Sequence, residues 1–75
     1  MDAASWYEGF AKALGTEAPA AADVADILAL ASVAAHASER TAAPISCWLA
    51  AMAGRSPAEA LALARQLVED RGEQT

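Results

Sequence analysis

The residues best suited to chemistry in this chain are His36 and Arg40, which stand one turn apart if both lie on one helix. At that spacing they can reach one anion together. The guanidinium would fork onto a carboxylate or phosphate, while the imidazole donates to the same group or relays a proton near neutral pH. The pair also has a plainly structural reading, because cationic side chains near a helix C-terminus complement the dipole and bond the last carbonyls. Cys47 is the single cysteine. A helix N-terminus could activate its thiol, but without a resolving partner a lone cysteine among alanines reads as a small apolar packing residue. One His, one Cys and scattered carboxylates form none of the paired spacings of a metal site, so neither a metal nor a cofactor is expected. Asp23 with Asp26, and Glu69 with Asp70, read as a helix start and a solvated face. There is no Gly-rich phosphate loop and no nucleophile elbow, so no catalytic residue is assigned.

Helices must position these groups, since no stretch keeps the period-two alternation of a half-buried strand. Ser5 and Glu8 have capping-box spacing and predict a first helix over 5–14, closed by Gly15, with Trp6, Phe10, Ala13 and Leu14 inward and Tyr7 exposed. Residues 16–22 read as a connector. Asp23 caps a second helix over 23–38, whose core face is Val24, Ile27, Leu28, Leu30, Ala31, Ala34 and Ala35. Behind it runs a strip of Ala25, Ala29, Ser32, His36, Glu39 and Arg40. Pro44 suits the first turn of a third helix over 44–53, with Ile45, Trp48, Leu49 and Met52 inward, Cys47 on the opposite side and Gly54 as the stop. Ser56, Pro57 and Glu59 combine an N-cap hydroxyl, a first-turn proline and a capping-box carboxylate, the firmest start signal in the chain. They open a fourth helix over 57–71, with Ala60, Leu61, Leu63, Ala64, Leu67 and Val68 inward, before a frayed tail over 72–75. The expected fold is all-α: one domain over 1–75, a compact bundle of four helices arranged as two helical hairpins.

Composition narrows the partners. Alanine supplies 23 of the 75 residues, against 4 Gly and 3 Pro, and 56% of the chain is hydrophobic, which excludes a disordered acidic tail. A net charge of -5 opposes nucleic acid and anionic lipid, and no apolar run reaches the ~20 residues of a bilayer span. With no basic n-region at the start, a cytoplasmic location is expected. So small a core yields only ~3 to 5 kcal/mol net, which favours help from a partner or a second copy.

The stretch from Asp23 to Gly54 resembles a small uncharacterised domain of high-GC bacteria, and the likeness extends to the aromatic opening helix. The words that carry it are A-H-x-x-E-R, present as Ala35-His36-Ala37-Ser38-Glu39-Arg40, followed by A-A-P-[LI]-[ST], present as Ala42-Ala43-Pro44-Ile45-Ser46. That domain occurs alone or as a C-terminal extension of molybdopterin-guanine dinucleotide biosynthesis proteins, the molybdenum cofactor guanylyltransferases. Carried over, its central motif falls on His36, Glu39, Arg40, Ala43, Pro44 and Ser46. The resemblance implies a non-catalytic accessory or adaptor role in molybdenum cofactor biosynthesis, binding a guanylyltransferase or another cofactor-assembly protein through the face of His36 and Arg40. Two alternatives stand beside it: a structural homodimer without a ligand, and an anion- or phosphate-binding domain built on the same two residues.

Overall fold

The computed structural model describes residues 1–73, and among them four helices and no strand occur: α1 (Ala3–Leu14), α2 (Ala21–Ala37), α3 (Ala42–Met52) and α4 (Pro57–Glu73). The fold is an all-α four-helix bundle. Its sharpest boundary is the start of α4, where the Ser56 N–H donates to Glu59 Oε1 at 3.1 Å and the Glu59 N–H donates to Ser56 Oγ at 3.2 Å. This reciprocal capping box satisfies two orphan donors of the helix end. Gly15 and Gly54 close α1 and α3 at φ of 80° and 72°, a left-handed conformation open to glycine at little cost. At each, the following residue reaches back across the last turn, Thr16 N–H to the Ala11 carbonyl and Arg55 N–H to the Ala50 carbonyl.

Other boundaries differ from the sequence expectation, each for a local reason. α1 begins before Ser5 because Asp2 is the cap, with its carboxylate accepting from the Ser5 N–H at 2.8 Å. α2 starts two residues before Asp23, behind Ala20 and without a side-chain cap, which leaves Asp23 as a favourable charge in the first turn. The connector is shorter in consequence. α3 starts at Ala42, and Pro44 sits third in the helix, still among the positions whose N–H has no intrahelical partner. α4 continues through Gly72, which keeps negative φ, so the tail expected from 72 is helical as far as 73; residues 74–75 lie outside the described chain.

Packing is centred on α2, which lies against both α3 and α4. The buried core is Leu30 of α2 with Ala60 and Leu61 of α4, joined by half-buried Ala29, Val33, Cys47, Ala50 and Ala64. Most of these side chains are small. Small facing residues let helix axes approach closely, and the consequence appears on α3. That helix turns Cys47 and Ala50 inward and leaves Ile45, Trp48, Leu49 and Met52 outside, the reverse of the expected orientation. α1 is reversed as well: Ala11 is buried and Tyr7 half-buried, while Trp6 and Phe10 stand out and stack on each other with ring centroids 5.7 Å apart. Leu28, Leu63, Leu67 and Val68, expected in the core, are also exposed.

The molecule measures 45 × 23 × 19 Å. Its longest helices, α2 and α4, have 17 residues and therefore span only about 25 Å. The extra length means that the helices are not all laid side by side.

Candidate functional site

On the side of α2 away from Leu30, residues Ala25, Leu28, Ser32 and His36 follow one another at intervals of three and four and are all exposed. They form one ribbon along the helix. His36 is held on it by its own helix: a carbonyl oxygen can only accept, so Nδ1 carries the proton and donates to the Ser32 carbonyl at 2.7 Å. Ser32 Oγ lies 3.2 Å from the same nitrogen. The ring is thereby oriented, and Nε2 is left to face a partner.

The expected neighbours of His36 are rearranged. α2 ends at Ala37, and Ser38 leaves helical geometry, so Glu39 and Arg40 lie in the turn before α3 and not on the ribbon. There the carbonyls of Glu39 and Arg40 accept from the N–H groups of Ala42 and Ala43 at 2.9 and 3.1 Å, and both side chains are exposed. The cation brought beside His36 is instead Arg65 of α4. His36 and Arg65 line one open hollow of about 350 Å³ with Ser32, Val33, Ala37 and Val68. Sequence reasoning missed Arg65 because only the packing of α4 on α2 makes the two neighbours.

The remaining residues of the expected site scatter. Ala29 faces the core, Pro44 is exposed on the first turn of α3, and Ser46 is half-buried, lining the hollows bordered by α2 and α4. Leu28 takes the place of Ala29 on the ribbon. Its side chain is 59% exposed and is the largest apolar group on that side of α2. Among the described residues, no three His, Cys, Asp or Glu side chains gather closely enough to hold a metal ion, and no helix is long and apolar enough to cross a membrane. The ribbon therefore offers a flat apolar centre, one oriented imidazole and a guanidinium on its rim.

The carboxyl groups with displaced pKa lie elsewhere, at helix starts. Asp2 is held below the ordinary carboxylate value by the Ser5 N–H, and Glu59 by the Ser56 N–H with a smaller contribution from Arg55 at 3.7 Å. Both shifts belong to capping and not to a reaction centre.

No curated protein and no solved structure matches the chain. A family model does match, over residues 1–75, the full length of the sequence. With its four helices and its outward ribbon on α2, this chain belongs to the family described as Domain of unknown function (DUF6457).

Proposed function

We propose that the chain is a non-catalytic accessory module of molybdenum cofactor biosynthesis, acting in the cytoplasm and docking a partner protein through the outer ribbon of α2. The observation that carries this reading is the position of Leu28, 59% exposed between Ala25 and Ser32. A helix serving only its own core would place that leucine inside; here it occupies the centre of a smooth surface, with His36 at one end. A central apolar anchor ringed by polar groups is the usual form of a protein-binding patch. The link to cofactor assembly rests on the likeness of the stretch from Ala35 to Ser46 to the domain that accompanies the guanylyltransferases. Arg40, in the turn just beyond the ribbon, is positioned to add a charged contact at the rim.

The test is co-purification with the molybdenum cofactor guanylyltransferase of the same organism. Leu28→Glu and Arg40→Ala are expected to keep the helical circular dichroism and to weaken or abolish capture. Undiminished capture by both variants would reject the ribbon, and no capture by the unmodified chain would reject this partner. A second reading, an anion receptor, is favoured by the shared hollow of His36 and Arg65. Calorimetric titration with inorganic phosphate and with a nucleotide checks it: heat lost in His36→Ala supports the receptor, whereas no heat and no thermal shift removes it.

A further inference from the structure

We propose that a second copy of this chain completes the bundle, with α1 of each copy seated in the groove between α3 and α4 of the other. This goes beyond the proposed function: the groove meets the His36–Arg65 hollow at Val33, Ala37 and Val68, but Ala25 and Leu28 of the α2 ribbon lie outside it.

The groove consists of two adjoining hollows of about 430 and 290 Å³, both floored by Leu30. Its walls are Ser46 and Leu49 from α3, and Ala60, Leu63 and Leu67 from α4. Leu49, Leu63 and Leu67 are each more than half exposed although they border the core. α1 carries the complementary shape. On its inner side Ala11 is buried and Tyr7 lines a hollow with Ala21 and Val24 at the start of α2, while Trp6, Phe10 and Leu14 form a second apolar stripe that nothing among the described residues covers. With spacings of four residues, that stripe is about 12 Å long on a helix of about 18 Å. α3, which sets the length of the groove, spans about 16 Å. An uncovered helix face and an uncovered helix-wide groove of like length thus occur in the same molecule.

The surface area gives the decisive argument. The chain exposes 5815 Å², whereas a folded monomer of 7.7 kDa is expected to expose about 4,300 Å². The excess, about 1,500 Å², is more than the ~800 Å² that each partner contributes to a standard interface. A two-fold dimer with reciprocal α1 insertion uses both uncovered surfaces of each copy at once and closes the assembly. A heterologous partner in the groove would leave the α1 stripe in water.

Sedimentation equilibrium of the full chain, combined with Trp6 emission in a Trp48→Phe background, tests the proposal. At about 50 µM the expected mass is twice the 7.7 kDa protomer, and Phe10→Glu or Leu63→Glu should weaken association by about 30-fold or more while the helical circular dichroism is kept. Trp6 emission should shift to the blue along the same concentration curve. A monomer at that concentration overturns the proposal, as does a dimer in which Trp6 still emits as a water-exposed indole. Because Leu28→Glu is expected to leave the dimer intact and Phe10→Glu to spare the ribbon, failure here and failure of guanylyltransferase binding are separable.

Discussion

Individual hydrogen bonds at the helix starts make this small fold sensitive to acid. The carboxylates of Asp2 and Glu59 are both held below their ordinary pKa by backbone N–H groups, at Ser5 and Ser56 respectively. A group whose folded pKa is depressed contributes stability above its unfolded pKa, near 4, and that contribution is lost as pH falls through the folded value. Thermal melts between about pH 6 and pH 2.5 should therefore show a falling Tm, and Glu59→Gln should flatten part of the fall because an amide does not titrate. Equal slopes in the two chains would contradict the assignment. Ser56→Ala removes the hydroxyl half of the capping box and should cost about 1 kcal/mol, or roughly 4 to 8 °C in Tm. Gly54→Ala meets no neighbour within 4 Å, so its expected cost is that of the left-handed backbone alone, about 1 kcal/mol.

Among the elements, legibility in the sequence depended on how the signal was written. Gly15, Gly54 and the Ser56–Glu59 box act through the local backbone, and each lies where sequence alone placed it. Helix facing was harder to read. A pattern of large and polar residues tells inside from outside only when the large ones are buried, and here Cys47, Ala50, Ala60 and Ala64 make the contacts. With alanine on both sides of α3, the period survives but its phase does not, whereas on α2 Val24, Ile27, Leu30, Ala31, Ala34 and Ala35 are turned inward as expected and Leu28 alone of that face is exposed. From the sequence Trp48 and Leu28 therefore read as core, and Ala29 as surface. The chemistry of the α2 ribbon was half legible: Ala25, Ser32 and His36 follow from helical spacing, but Arg65 arrives from another helix and Arg40 departs because α2 ends early. The facing has a measurable consequence. Leu30, 5% exposed on α2, should cost about 2 to 5 kcal/mol when cut to alanine, whereas Trp48→Ala, at a side chain 65% exposed, should change monomer stability by about 0.5 kcal/mol or less. Urea unfolding followed by circular dichroism checks the pair; similar losses from both would contradict the inward orientation of Cys47 and Ala50.

Taken whole, the molecule closes its interior with small side chains and turns its large apolar ones to the outside. Such a core is thin, and chains of this size rarely gain more than ~3 to 5 kcal/mol from one core. Association would then supply what the monomer lacks, through α1 and the α3–α4 groove toward a second copy and through the α2 ribbon toward a cofactor-assembly enzyme. The groove adjoins the His36–Arg65 hollow at Val33, Ala37 and Val68, whereas Leu28, the anchor of the ribbon, lies outside it. Both surfaces depend on large apolar residues lying outside the folded monomer, and Trp48 is the best reporter because it lines neither the hollow beside the ribbon nor the groove. In a Trp6→Phe chain, acrylamide quenching of Trp48 in dilute solution should proceed at nearly the rate of free indole, should change little on unfolding, and should drop only when a partner covers that side of α3. Strong protection of Trp48 in the folded monomer would contradict the account, because it would put that side of α3 back inside the bundle.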